Sequence, residues 1–381
     1  MIPKGKIRVL ECIRQGKIGG GESHLLSLVE NLDKSVFEPV VLSFTDGPMI
    51  ERLSGMDIPT HIIHTEKPFD FRIWNKVKQF IRSQQVSLIH AHGTRANSNI
   101  LWAANQLKIP VIYTIHGWSF HDDQSWPVKK IRILGEKYLT KKSARNISVS
   151  QSNKETGLKH FNRFTSLVIN NGIDQNKFNP DKAFRNIRAE MNLSPDVILY
   201  CFIGRFTHQK QPLVLIDAFL QAAQKNNSIH LLIVGDGEDK ARMENRIQDS
   251  GMNNRVTMME PSKDIPALLA AADVFVLPSL WEGLPIALLE AMAMGKAIIA
   301  SEVDGTKEII THRENGYLIQ TDQLLENLVK AMIQVSADSG LRETLSRNAR
   351  KTIAERFDAG FMTRKIEKVY LEILEKQKQP A

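Results

Sequence analysis

Apolar residues are distributed along this chain in two alternating patterns. Short, nearly continuous apolar runs over 7–13, 39–44, 60–63, 88–91, 111–115, 146–149 and 166–169 predict buried strands. Between them, apolar positions recur at spacings of three and four, which predicts helices over segments such as 22–31, 72–83 and 95–106. The alternation then starts afresh, with strands expected over 197–203, 229–234, 256–258, 274–277 and 297–300 and helices between them. Repeated strand–helix units predict a parallel, doubly wound α/β sheet, and two successive series predict two such domains. Turn chemistry clusters at Asn171-Gly172, Asn179-Pro180 and Ser194-Pro195. The expected division is therefore 1–180, 181–355 and a closing amphipathic helix within 356–381 that returns toward the first domain.

With 381 residues the chain exceeds one ordinary core, in line with two domains. No apolar run reaches eighteen residues, and the opening residues run straight into a strand pattern without a leader-like apolar region. Cys12 and Cys201 both fall in predicted strands, as small buried thiols do, with neither disulfide nor metal spacing. A cytoplasmic location is the expectation. The net charge of +8 is lopsided: residues 1–180 hold 25 Lys and Arg against 15 Asp and Glu, and the remainder is slightly acidic. A basic half suits a phosphorylated ligand or an anionic membrane surface. Nucleic acid ranks last, because no recognised nucleic-acid-binding spacing is present.

In open parallel sheets ligands bind beyond the carboxyl ends of the strands, and the candidate chemistry sits there. Gly16, Gly19, Gly20 and Gly21 follow the first strand and lead into a helix through Glu22 and His24, so backbone N–H groups can approach an anion. Gly235-Asp236-Gly237 holds a similar place, although a plain tight turn accounts for it. Gly204-Arg205 and Lys210 follow the strand 197–203 and could clamp a diphosphate, the sequence around them holding no acid. Glu282, in Pro278-Ser279-Leu280-Trp281-Glu282-Gly283-Leu284-Pro285, lies in a loop. Glu290 is a lone acid on an otherwise apolar helix over 285–294. A carboxylate there could accept from a diol, or could simply bond backbone N–H groups. His116 closes the strand 111–115, and His90 and His92 flank the end of the strand 88–91. Asp122-Asp123 is expected to be a solvated loop, and no His, Cys or carboxylate grouping has metal-ligand spacing.

The ordered set of motifs resembles the retaining glycosyltransferases of family 4, with their architecture of two Rossmann-like domains (GT-B). It comprises Gly19-Gly20-Gly21-Glu22, Ile115-His116-Gly117, Asn171 to Asp174, Gly204-Arg205 with Lys210, and Glu282-Gly283-Leu284-Pro285 with Glu290. The resemblance implies that Glu290 binds ribose hydroxyls of a nucleotide-sugar and that Glu282 contacts the transferred sugar. It implies that Arg205 and Lys210 neutralise the leaving diphosphate, that Gly19, Gly20 and Gly21 approach the donor phosphates, and that His116 sits near the sugar's reactive end. Neither metal nor other cofactor is expected, since cations and helix N-termini stabilise the leaving group. The chain departs from the family at Met259-Glu260-Pro261-Ser262, where an apolar residue and a glycine are usual next to the nucleobase. UDP ranks ahead of GDP, and the expected acceptor is a lipid-linked sugar intermediate of surface polysaccharide synthesis.

A non-catalytic two-domain binding protein, or an epimerase or phosphorylase on the same architecture, are the alternatives. The segment 128–142 adds a further expectation. As a helix it aligns Val128, Ile131, Leu134 and Tyr138 in one stripe, with six cations (Lys129, Lys130, Arg132, Lys137, Lys141, Lys142) against the single acid Glu136. Either the stripe packs on the sheet, or this helix and the preceding aromatic loop (Trp118, Phe120, Trp126) seat the enzyme peripherally on the inner face of an anionic membrane.

Overall fold

The computed structural model describes residues 5–17, 19–121 and 124–378. Two compact units emerge: Met1–Gly172 together with Ala359–Ala381, and Ile173–Asp358. In the first, strands β1 (Ile7–Ile13), β2 (Phe37–Ser43), β3 (Thr60–Ile62), β4 (Leu88–His92), β5 (Val111–Ile115), β6 (Arg145–Ser148) and β7 (Leu167–Val168) form one sheet in the order β3-β2-β1-β4-β5-β6-β7. In the second, β8 (Ile198–Ile203), β9 (Ile229–Val234), β10 (Val256–Met259), β11 (Val274–Leu277), β12 (Ala297–Ser301) and β13 (Tyr317–Ile319) are ordered β10-β9-β8-β11-β12-β13. Neighbouring strands pair in parallel throughout, as in β1 with β4 and β8 with β9.

The strands read as continuous apolar runs because helices cover both faces of each sheet. On β8, Tyr200 and Phe202 point into one cluster with Leu215, Phe219 and Leu328, whereas Leu199 and Cys201 point into another with Ile187 and Leu268. Both cysteines are free and buried. The closing helix Ala359–Lys378 belongs to the first unit, where Met362, Ile366, Val369 and Tyr370 pack on Ile7, Val9 and Phe37. Local ties mark the crossing points of the chain. Asn171 Oδ1 meets His24 and the Gly172 N–H points to the Met362 sulfur, all in the first unit. Ile173 and Asp358 bridge each other in the second.

In both sheets the strand order reverses beside the first strand, between β1 and β4 and between β8 and β11. Parallel α/β sheets bind ligands in the crevice opened by such a reversal. The loops that follow β1 and β4, and those that follow β8 and β11, therefore occupy the positions that matter.

Candidate active site

In the second unit, β8 delivers Gly204–Lys210 and β11 delivers Pro278–Pro285 to the two sides of that reversal. The loops are stitched together: the Leu280 N–H donates to the Gln209 carbonyl at 2.9 Å, and Gln209 Nε2 donates to the Trp281 carbonyl at 2.8 Å. The expectation that Lys210 has no acidic neighbour is corrected here. Its Nζ lies 2.5 Å from Glu282 Oε1, with both side chains largely buried. The acid stands 72 positions away in sequence, so only the adjacency of β8 and β11 reveals it. Arg205 is exposed just beyond β8. Glycines make this arrangement possible. A Cβ on Gly235 would fall 1.9 Å from the Gly204 carbonyl oxygen, so the turn after β9 supports the loop that carries Arg205. Gly305, which the sequence did not single out, comes so close to the Gly283 carbonyl that a Cβ would fall within 2.2 Å of it, and its N–H donates to the Glu282 carbonyl at 3.3 Å.

Gly283 is half-buried, and Leu284 and Pro285 are buried. Pro285 caps the helix Ile286–Ala293, where a missing N–H costs nothing. Glu290 falls on its second turn, half-buried, while Leu288, Leu289, Ala291 and Met292 fill the core around it. The Ser279 hydroxyl is buried without a protein partner.

In the first unit, the helix Gly20–Asn31 starts at Gly19 with no side-chain cap, and the first-turn N–H groups of a helix have no intrahelical acceptor. A Cβ on Gly19 would press within 2.9 Å of the buried Glu22 carboxylate, and one on Gly21 would sit 3.4 Å from the His116 ring. Nothing lies within 4 Å of such an atom on Gly20. The glycine loop and His116 are thus neighbours; Ile18 within this loop, like Asp122 and Asp123, lies outside the described residues.

Behind His116 lies a polar cluster that the sequence showed only in part. His92 Nδ1 is 3.2 Å from His116 Nε2, and His92 Nε2 is 2.9 Å from Glu11 Oε2. His90 bonds Tyr370 at 2.6 Å and Thr114 at 2.7 Å. Tyr370 donates to Glu11 Oε1 at 2.8 Å. His24 Nδ1 meets Asn171 Oδ1, and its Nε2 has no partner. Burial pushes the Glu11 carboxyl up to about 8 and lowers His24 and His92 to about 3. Burial also takes His90 and His116 well below the usual imidazole range, so all four rings are neutral. Among the described residues, His24 with His92 and His116, and Glu11 with His90 and His92, bring ligand atoms close enough to share a cation. Apart from His24 Nε2 and His116 Nδ1, the ring nitrogens and carboxylate oxygens of these residues already carry hydrogen bonds.

The helix expected over 128–142 runs from Trp126 to Lys142 and faces the opposite way from a core helix. Glu136, Leu139 and Thr140 are its buried residues. Trp126 is 70% exposed and Ile131 69%, and Val128, Leu134 and Tyr138 are exposed too. Packing of the stripe on the sheet is thereby corrected. Trp118 and Phe120 are corrected as well: both are buried, packed with Phe161 and Phe164. Thr94, Tyr113 and the Ser119 N–H all donate to the Glu136 carboxylate, which explains why the acid points inward. No helix among the described residues is long and apolar enough to cross a membrane.

Comparison with known proteins agrees with this geometry. Residues 183–352 match the family model of group 1 glycosyl transferases, and residues 18–177 match that of glycosyltransferase family 4. An Escherichia coli UDP-Gal:α-D-GlcNAc-diphosphoundecaprenol α-1,3-galactosyltransferase is 26% identical, covering 97% of this chain and 98% of its own. The Bacillus anthracis N-acetyl-α-D-glucosaminyl L-malate synthase is 23% identical, over 82% of this chain and 81% of its own. Among solved structures, Anabaena HepE in complex with UDP and glucose superposes with a TM-score of 0.85 at 22% identity, over 96% of this chain and all of that one. WaaG, a glycosyltransferase involved in lipopolysaccharide biosynthesis, gives 0.75 at 17% identity, over 95% of this chain and 99% of that one. The two parallel sheets form the two Rossmann-like domains of the GT-B fold, and the chain belongs to the group 1 glycosyltransferases of family 4.

Proposed function

We propose that the chain transfers a sugar, with retention, from a UDP-sugar to a lipid-linked saccharide acceptor, without a metal. The observation that carries this reading is the pairing of Lys210 with Glu282 on two stitched loops at the reversal beside β8, with Arg205 exposed on the same loop as Lys210. An ammonium has three donors. Lys210 can therefore hold Glu282 and a diphosphate oxygen together, while Arg205 supplies a second cation. Glu282 is then fixed beside the phosphate to accept from a hydroxyl of the transferred sugar. Glu290, on the following helix, takes the ribose. As the bond from the anomeric carbon to the β-phosphate breaks, the acceptor oxygen bonds to that carbon from the same face. The departing phosphate takes the acceptor's proton, so the atoms balance without a protein nucleophile. The two cations bear the leaving group's charge, the task a metal performs elsewhere.

The UDP preference and the lipid-linked acceptor rest on the E. coli relative's name and on the exposed helix Trp126–Lys142. That helix presents Trp126, Ile131, Leu134 and Tyr138 outward among its cations, with the Phe69 ring seated against Gly135. Aromatic and aliphatic side chains among lysines suit the interface of an anionic bilayer, where such an acceptor resides. Incubation with UDP-sugars, with and without a polyprenyl-diphosphate saccharide, tests the reading. The expected result is acceptor-dependent release of UDP, a product of the donor's anomeric configuration, and undiminished turnover in EDTA. Donor turnover that ignores the acceptor would favour an epimerase, and nucleotide binding without turnover of any donor would favour a binding protein. An inverted product refutes retention, and metal-restored activity refutes the cation clamp.

A further inference from the structure

The buried cluster behind His116 has a definite proton count. Five contacts join six groups in a line: Thr114 Oγ1 to His90 Nε2, His90 Nδ1 to Tyr370 OH, Tyr370 OH to Glu11 Oε1, Glu11 Oε2 to His92 Nε2, and His92 Nδ1 to His116 Nε2. Each contact needs one proton between its two atoms. Tyr370 donates to Glu11, so its only proton is committed. His90 Nδ1 must then donate to Tyr370, and Thr114 must donate to His90 Nε2. On the other side the arrangement depends on Glu11. As a carboxylate, Glu11 accepts from His92 Nε2–H. His92 Nδ1 then accepts from His116 Nε2–H, and His116 is left with a bare lone pair on Nδ1. With a proton on Oε2, Glu11 donates to His92 Nε2, His92 Nδ1–H donates to His116 Nε2, and His116 carries its own proton on Nδ1. Every contact is satisfied in both arrangements with all rings neutral. The Nδ1 of His116 has no protein partner among the described residues, so it is the nitrogen available to a ligand.

We propose that Glu11, acting through His92, sets the tautomer of His116 and so determines whether His116 meets the sugar as acceptor or donor. Glu11, His92 and Tyr370 are on this view positioning residues, and only His116 reaches the ligand. The proposal rests on the reading that His116 belongs to the donor site. The groups that face the relay are His90 and His92 on β4, Tyr370 and Glu367 on the closing helix, and His24 on the helix Gly20–Asn31, whose ring lies 4.8 Å from that of His116. Arg14, after β1, adds a positive charge near His116. Burial raises Glu11 to about 8, which brings the exchange between the two arrangements into an accessible pH range, while the histidines stay neutral throughout it.

Long-range nitrogen–proton NMR on the full chain with ¹⁵N-labelled histidine reads the tautomer directly. The His116 signals are assigned by their loss in His116→Ala. In the parent protein His116 should pass from the Nδ1–H to the Nε2–H form as pH rises through the Glu11 transition. In Glu11→Gln the switch should vanish, since an amide has no proton to lose there. Tyr370→Phe, a milder change, removes a hydrogen bond that favours the carboxylate and should move the midpoint to higher pH. One unchanging His116 tautomer in the parent, an identical switch in Glu11→Gln, or an unmoved midpoint in Tyr370→Phe would overturn the proposal. Turnover kinetics keep the two readings apart: a normal tautomer switch together with full activity in His116→Ala would uphold the relay and remove His116 from the reaction.

Discussion

Truncating Lys210 to alanine should damage both stability and turnover, and the structure separates the two effects. Lys210 and Glu282 are 16% and 7% exposed, so removal of the ammonium strands a nearly buried carboxylate. Breaking one half of a buried ion pair costs roughly 3–5 kcal/mol, and the residual exposure places this case at the lower end, about 3 kcal/mol. For a unit the size of Ile173–Asp358 that corresponds to a fall in melting temperature of roughly 6–12 °C. Adding Glu282→Gln to Lys210→Ala removes the stranded charge and should restore most of the loss. Turnover behaves differently. The diphosphate loses a preorganised charge contact in both variants, so each should fall by roughly 10²–10³ in kcat. Scanning calorimetry, which can resolve two transitions in a two-unit chain, combined with a UDP-release assay reads both quantities. Parent-like melting and turnover in Lys210→Ala would refute the clamp. A double variant less stable than the single would refute the stranded-charge argument.

Glu290→Gln should weaken binding of free UDP about tenfold by calorimetry, because an amide accepts less strongly than a carboxylate; unchanged affinity with a lower melting temperature would make Glu290 structural. Flotation with anionic liposomes should weaken with salt and fall when Lys129, Lys130 and Arg132 become glutamate, and equal flotation of parent and triple variant would remove the membrane surface from the proposal. Stability should also depend on pH at both ends. Glu11, raised in the fold to about 8, binds a proton that the unfolded chain has already lost, so stability falls as pH climbs from the ordinary carboxylate range through 8. His24 and His92, held down to about 3, act in the opposite sense, and stability falls as pH drops from 6.5 toward that value. Glu11→Gln should flatten only the alkaline limb of a melting-temperature profile.

Much of the fold was legible because both sheets are covered on both faces, which turns their strands into uninterrupted apolar runs. β1, β5, β9 and β11 fall where the runs lie. β13 was not legible: Tyr317–Ile319 is three residues long at a sheet edge, too short to establish a period. Candidate site residues were legible where polar side chains sit directly after a strand, as for Arg205, Lys210 and His116. Partners were not. The acid beside Lys210 and the tyrosine beside Glu11 come from 72 and 359 positions away, and only strand order and helix packing bring them together. Glu11 itself was hidden because it sits inside an apolar strand, where a single polar letter reads as noise.

The helix Trp126–Lys142 shows the sharpest limit of periodicity. A 3.6-residue repeat reports that Ile131, Leu134 and Tyr138 share a side and that Glu136 lies across from them. It does not report which side meets the protein. The usual rule turns the apolar side inward, because water disfavours it by roughly 25 cal/mol per Å². Here the opposite orientation is supported by three donors, from Thr94, Tyr113 and Ser119, arranged about one carboxylate. Burial raises the pKa of Glu136, and the hydrogen bonds offset part of that desolvation cost. Leu139 and Thr140 complete the inward side. A helix held by its polar face leaves Trp126, Ile131, Leu134 and Tyr138 exposed among the described residues. Trp126, with Lys130 4.7 Å from its ring centre, pairs an apolar body with a cation at the outer surface. On the proposed membrane reading, the lysine would sit among head groups and the ring below them. On the same reading, the membrane contact would lie on the side of the helix that core packing would have claimed.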